Sequence, residues 1–527
     1  MRCGDCQSRT PGGNTCADCP WAVPTADKAP SVTFSDRLTE EDLLAHTPVV
    51  DVAEADYQVT RYLCCAAESD PMFAQNLVAH IIRQPRRGIA MSPGLDVVGV
   101  LRHACAARRR RAIRDCVLTA VNLPLTLVVL GSIISAALTV SLEPLALLPW
   151  AIGLSTIVSS LVLYLSKLHY YRVMTGALRR DRFSATTAPE PRSPLLRSRL
   201  RQIADLTRGN TTIYQGFKPF RGYGKVIGGW SFAIDLTKPR IEGTIPELFD
   251  VHDIRTYVKS QVEALKWLGL TVEDRVFVSG RDVPNDSMFI QSDGRPRPGV
   301  DQVHFNQLLA APDKRARPYM VIRLLGWDGE LALTIFLRFV MVKKNLFIEA
   351  SHSILTPLQD SFRKYDKIEP VSSVSDHMRL FFSCLRPFSG IVSGFTHLSE
   401  YRDDRRALAP NKRGVDRQDF DHGAFFSIRE WASDSRYQRY FQKLDSEMYT
   451  KVVEQRIFDS LVQFLDSRNI DTGELIQRQT TIMNNGVMVT GNSSITADSV
   501  AAGNNAQAIS HGDHMGRSGR ADGSTRR

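Results

Sequence analysis

Two stretches of this chain are predominantly apolar and carry no lysine or arginine: VLTAVNLPLTLVVLGSIISAALTV at 117–140 and LEPLALLPWAIGLSTIVSSLVLYL at 142–165. A helix needs ~20 residues to cross a hydrocarbon core of ~30 Å, so each is long enough. Their one acid is Glu143, beside Pro144 in the short link. The pattern predicts a two-helix transmembrane hairpin over 116–166 rather than a pair of buried core helices. Further on, a period of two takes over. Residues 331, 333, 335, 337, 339 and 341 are all apolar, with turn signals at Asp328-Gly329 before them and Lys344-Asn345 after them. Three antiparallel strands are expected at 318–326, 330–342 and 345–351, and further strands at Trp230–Leu236 and Glu273–Ser279.

Helical periodicity marks Ala55–Glu68 and Pro71–Arg83, the latter with Phe73, Leu77, Ile81 and Ile82 on one stripe. Ser92-Pro93 has the form of a helix start, and that helix is expected to run through Arg114 into the first span. Glu247–Leu268 reads as a helix ending at Gly269. Residues 436–468 form a long amphipathic helix whose Phe441, Leu444, Met448, Phe458, Val462 and Leu465 nearly follow a heptad. The apolar segment 378–398 is interrupted by Arg379, Arg386 and Pro387. It is too short to span, and core packing is the expectation, with a place in the membrane interface as the alternative.

The expected architecture is a multi-domain membrane protein with an α+β domain. Its parts are a zinc ribbon at 1–22, a linker at 23–38 and a helical segment at 39–115. The hairpin follows at 116–166, then a basic juxtamembrane helix and linker at 167–209. The α+β domain with an antiparallel meander occupies 210–435 and the long helix 436–470. At 482–510, Gly491-Asn-Ser-Ser-Ile-Thr is echoed by Gly503-Asn-Asn-Ala-Gln-Ala. This reads as a short β-roll or oligomerising tail, against a flexible small-residue tail. Residues 511–527 are expected to be disordered.

Charge changes the picture by giving the hairpin a direction. Of the formal net charge of +10, residues 102–115 and 167–208 supply more than all, with 51 arginines against 15 lysines in the chain. Clusters at Arg108–Arg111 with Arg114, and at Lys167, Arg172, Arg179, Arg180 and Arg182, bracket the spans, while the link between them has no cation. The positive-inside rule then places both flanks and both termini in the cytoplasm, in the plasma membrane of a bacterium, with an anionic inner leaflet as partner. No secretory signal is expected. A nucleic-acid protein would spread its cations over a binding domain, so no nucleic acid is expected. Small residues four apart, Gly131/Ser135 and Ser155/Ser159, would permit close helix contact within the hairpin or between protomers.

Nine cysteines are too few and too scattered for a disulfide framework. Four of them, Cys3, Cys6, Cys16 and Cys19, form Cys-x2-Cys-x9-Cys-x2-Cys. Four thiolates close a tetrahedral zinc site and leave no open position for catalysis. Residues 3–19 resemble the short bacterial zinc-ribbon family, with two Cys-x-x-Cys knuckles about ten residues apart, though Pro20 stands where that family often has glycine. The resemblance implies one structural Zn2+ and says little about activity.

Catalytic patterns are sparse. The glycines at 222, 224, 228 and 229 fit neither a P-loop nor a dinucleotide fingerprint, because Val226 follows Lys225 and Ile227 occupies a required glycine position. A glycine-rich turn before a strand is the expectation. His252-Asp253, Asp301, His304 and His422 form no recognisable constellation, and Cys64-Cys65 with His80 or His103 read as buried structural residues. The expected function is that of a membrane-anchored cytoplasmic binding, sensing or scaffolding protein with a protein partner or a homo-oligomeric state. Its alternatives are a tethered enzyme with a site in 210–435, which clustering of His252, Asp301, His304 or His422 in one concave pocket would support, and an oligomerising membrane-perturbing effector.

Overall fold

Capping aspartates set where the second and third helices begin. The computed structural model describes residues 58–140, 142–283, 286–311, 313–409 and 420–484. Helix α1 is Gln58–Ser69 and α2 is Pro71–Leu77. Asp70 caps α2 by accepting from the N–H groups of Met72 and Phe73, with Pro71 in the first turn. The chain then widens into a π-turn, Val78–Ile82, so the helix expected to reach Arg83 is two pieces.

Helix α3 is a single run of 43 residues, Val97–Thr139. Its cap is Asp96, which accepts from the Val98 N–H. Ser92-Pro93, expected to open this helix, lies instead in the turn before it. A 3-10 turn at Glu143–Leu147 leads to α4, Leu148–Thr175. The segments Val97–Thr139 and Glu143–Thr175 are long and apolar enough to cross a membrane. Leu127, Ile134, Leu138, Ile157 and Leu161 on them are exposed, unlike side chains of buried core helices. Where α3 and α4 meet, Ser155 and Ser159 are buried, whereas Gly131 has open space beside it.

Helix α5, Pro194–Arg208, is fastened to the π-turn by a buried arginine. Arg199 donates to the carbonyls of Ile81 at 2.7 Å, Ile82 at 3.3 Å and Gln84 at 2.9 Å. These are carbonyls at a helix end, where a cation is favoured.

Next comes a mixed sheet of six strands in the order β1-β3-β4-β5-β6-β2. Strand β1 is Thr211–Tyr214 and β2 is Lys225–Asp235. Helix α6 is Val251–Glu263, with a capping box between Asp250 and Asp253, and β3 is Leu270–Ser279. Helix α7, Gln302–Ala310, precedes the meander β4 (Ala316–Gly326), β5 (Leu331–Val342) and β6 (Asn345–Leu355). The meander register puts Ile322 opposite Ile335 and Phe339 opposite Ile348. Only β1 runs parallel to its neighbour β3. Strand β2 starts five residues earlier than expected. Gly228 and Gly229 therefore lie inside it, and the glycine-rich turn is confined to the residues before Lys225.

Helices α8 (Val374–Phe382), α9 (Ser393–Leu408) and α10 (Ile428–Ala432) follow, then α11 (Tyr440–Ser467) and α12 (Gly473–Asn484). Alternation along the strands gives the sheet two faces. One face packs Val276, Met320, Ile322, Leu337 and Ile348 against Ile254, Val258, Phe305, Ile457, Phe458 and Leu461 of α6, α7 and α11. The heptad residues Phe458 and Leu465 thus pack against the sheet, while Phe441 and Leu444 are exposed. The other face carries an aromatic cluster of Tyr223, Phe277, Tyr319 and Phe336, with Phe220 stacked on Phe336 at 3.7 Å. A second core joins α1, α2 and the start of α3 to Leu200 and Ile203 of α5 and to Phe362, Ile428 and Ala432. The four head cysteines and nearly all of the 482–510 tail lie outside the described residues; 482–484 end α12.

Candidate functional site

The second face of the sheet does not meet the helices above it everywhere. Between strands β3–β4, the first turns of α3 and helix α5 there is a cavity of about 790 Å3, within the size range of small-molecule sites. Glu273, Arg275 and Arg323 come from the strands, at positions that alternate away from the apolar core. Ser92, Asp96, Val98 and Arg102 come from the turn before α3 and its opening turns. Arg197, Arg201 and Arg208 come from α5, and Glu190 from the loop before it.

Six arginines thus face three carboxylates, and two of the carboxylates are already engaged. Asp96 caps α3. Glu273 accepts from Arg275 Nε and Nη2, both at 3.3 Å. Arg275 is 2% exposed and also donates from Nη1 to Thr212 Oγ1 at 3.2 Å. Burial works against its charge, while the Glu273 carboxylate beside it favours that charge, and its pKa lies above the ordinary value. Burial likewise pushes the nearby Tyr223 hydroxyl up to about 12, so it stays protonated. Two buried polar atoms of the wall, Ser92 Oγ and Arg102 Nε, have no hydrogen-bond partner among the described residues. A buried group left so is costly unless a ligand or water meets it. The site can therefore accept a multiply charged anion with an apolar portion, since Met91, Leu95, Val97, Leu200 and Ala204 complete the lining.

The sequence candidates stand elsewhere. Asp301 caps α7, accepting from the His304 N–H at 3.0 Å, and that backbone bond first, with the His304 side chain, holds its carboxyl below the usual range. His252 is exposed at the start of α6. His422 is 3% exposed, its Nδ1 lies 2.8 Å from the Arg86 carbonyl, and burial lowers its pKa. Asp301 and His304 meet only as a helix cap, and neither they nor His252 or His422 line the cavity. Cys64 and Cys65 are buried in the helical core, and His103 Nδ1 lies 2.9 Å from Glu68 Oε1. No group of three or more His, Cys, Asp or Glu among the described residues is arranged to hold a metal. The glycine-rich turn is a backbone crossing: the N–H groups of Gly222 and Gly224 both donate to Glu430 Oε1, and a Cβ on Gly222 would lie 1.9 Å from the Met91 carbonyl oxygen.

Sequence reading missed the cavity because its arginines come from four separate segments. Its signal in the sequence is the surplus of arginine over 102–115 and 167–208, which equally fits a membrane flank.

No curated protein and no solved structure matches the chain significantly. A family model for the AbeC-like domain matches residues 229–497, just over half of the chain, from β2 to beyond α12. That region includes the cavity residues Glu273, Arg275 and Arg323 but not the walls from α3 and α5. The chain belongs to the AbeC-like domain family.

Proposed function

We propose that this is a membrane-anchored binding and sensing protein that takes a multiply charged anionic metabolite in the arginine-lined cavity. The observation that carries the reading is the joint construction of that cavity. Its floor is the buried Arg275 of the sheet, and its wall is the opening of α3, the helix whose apolar part is long enough to cross a membrane. A ligand that draws Ser92, Arg102 and the α5 arginines together changes the seat of α3, and a continuous helix carries that change toward the hairpin. In this reading the sheet domain and both termini are on the cytoplasmic side of a bacterial plasma membrane, which the arginine clusters bracketing the spans support. In this reading Cys3, Cys6, Cys16 and Cys19 hold one structural Zn2+ that stabilises the head and offers a surface to a protein partner or second copy.

Calorimetric titration of the full chain in lipid nanodiscs, with pyrophosphate and ADP as probes, tests the reading. Arg201 is exposed on the cavity wall, so Arg201→Glu should leave the fold intact. The wild-type protein should bind at least one probe with affinity that falls as salt rises, and Arg201→Glu should weaken it at least tenfold. Equal binding by both proteins, or none by either, would count against the cavity as an anion site. A reporter active only outside the cytoplasm, fused after Arg527, should be silent.

A further inference from the structure

We infer that residues 374–408 form a re-entrant hairpin, in which the chain between α8 and α9 enters the bilayer leaflet nearest the sheet domain and α9 returns it to the same side. The inference rests on the reading of α3 and α4 as membrane-crossing helices.

The contacts trace the path. His377 Nδ1 lies 2.8 Å from Tyr164 Oη, and the Phe388 N–H donates to Ser155 Oγ at 2.8 Å. Lys167 Nζ donates to Ser383 Oγ at 2.9 Å, so α8 stays level with Tyr164 and Lys167. Tyr164 and Ser155 are nine residues apart on α4, so the descent of roughly 13 Å falls in 384–388. The return runs up α3. Asn122 Nδ2 donates to the Ser389 carbonyl and Thr119 Oγ1 to the Gly390 carbonyl, each at 2.6 Å. The Gly394 N–H donates to Thr119 Oγ1 at 2.9 Å. His397 Nε2 then lies 2.9 Å from Asp115 Oδ2, and Arg108 pairs with Glu400 at 3.0 Å and Asp404 at 3.1 Å. Partners on α3 thus move from 122 to 119, 115 and 108 as the segment advances from 389 to 404.

The tip has the chemistry that depth demands. Its backbone is irregular, with Phe388 at φ +52° and Gly390 at φ +70°. In hydrocarbon such backbone is tolerated only where protein satisfies its polar groups. Asn122, Ser155 and Ser159 do this from within the apolar spans, each 0% exposed. Asn122 Nδ2 also donates to Ser159 Oγ, and Ser155 Oγ donates to Asn122 Oδ1, each at 2.9 Å. The polar residues of the spans thereby have a structural purpose. Gly394 allows the close approach, since a Cβ there would lie 2.8 Å from Thr119 Oγ1 and 3.1 Å from Cys116 Cα.

The outer side of this segment is apolar and uncovered: Phe382 is 59% exposed, Val392 64% and Phe395 56%. Core packing, the expectation for 378–398, is therefore not what these side chains do. Their occupant is the acyl region of that leaflet. Phe395 follows Gly394, which is bonded to Thr119 inside the first span, and Phe382 lies level with Tyr164 near the end of the second, where Phe381 packs on Tyr164 and Lys167 Nζ donates to Ser383 Oγ at 2.9 Å. Arg379 and Arg386 are exposed and long enough to reach headgroup phosphates.

The test is photocrosslinking of the full chain in vesicles of phosphatidylethanolamine and phosphatidylglycerol, read by mass spectrometry. p-Benzoylphenylalanine replaces Phe382, Phe395, Ile134 in the first span or Arg402 beyond the hairpin, one at a time. Phe382 and Phe395 should each gain the mass of one phospholipid, as should Ile134, and Arg402 should not. Lipid at Ile134 with only a second copy of the chain, or nothing, at 382 and 395 overturns the re-entrant hairpin while the crossing helices stand. No lipid at Ile134 overturns the crossing reading, and the inference falls with it.

Discussion

Asn122, inside the apolar stretch of α3, donates from Nδ2 to the carbonyl oxygen of Ser389, 267 residues further along the chain. The same amide nitrogen donates to Ser159 of α4, so one side chain ties three segments together. Asn122→Leu would take this partner from the Ser389 carbonyl and Ser159 and leave Ser155 with the Phe388 N–H alone. A buried unsatisfied group costs about 1–3 kcal/mol. The variant should unfold at lower temperature in detergent and become open to protease cleavage between 383 and 392. Unchanged melting and cleavage would show that the amide does not hold the tip.

Gly394 and Gly131 make a matched pair. A side chain at Gly394 meets α3 directly, whereas nothing lies within 4 Å of a Cβ at Gly131. Gly394→Leu should lose about 2 kcal/mol by forcing α9 from α3, and Gly131→Leu should be close to neutral. Equal effects in thermal unfolding would contradict the close contact.

His352 gives the sheet domain a pH dependence. It is 3% exposed, its Nε2 lies 3.2 Å from Glu454 Oε1, and burial lowers its pKa from 6.5 to about 4. The unfolded chain therefore takes up this proton first as pH falls. Its contribution to stability is complete above pH 6.5 and is lost toward pH 4, by roughly 3 kcal/mol. Glu454, raised above 4.5 by burial, acts in the opposite sense, since the folded state takes up its proton first. Denaturant unfolding of wild type and His352→Gln across pH 4–7 separates the two. The wild-type stability should fall more steeply between 6.5 and 4 than that of the variant. Parallel curves would mean that the histidine titrates normally.

The head calls for a metal count. The purified full chain should carry about one equivalent of zinc, and Cys16→Ser should abolish tight binding. Less than about half an equivalent in the wild type would exclude the four-thiolate site.

Much of the scaffold was legible because it is written in local periods. Alternation at 331–341 located β5 to within one residue of its start, and the stretches without lysine or arginine at 117–140 and 142–165 located two helices long and apolar enough to cross a membrane. Strand β1 was missed because four residues, Thr211–Tyr214, hold too little pattern, and its parallel pairing with β3 is non-local. Ser92-Pro93 has the form of a cap, yet Asp96 is the one that accepts the helix N–H. The cavity and the 374–408 hairpin were illegible for a shared reason. Both are assembled from side chains on segments far apart in the chain, and Arg201 or Asn122 acquires meaning only from what the fold puts opposite it.

The central claim is that an anion bound in the cavity is felt by α3. Hydrogen exchange of the full chain in nanodiscs, with and without saturating ADP or pyrophosphate, measures this most directly. Binding should slow exchange in 91–104 and 197–208, change it also in the 374–394 segment packed on α3 and α4, and do neither in Arg201→Glu. Protection confined to other regions, or no change at 91–104 and 197–208 when the probe is bound, would contradict it.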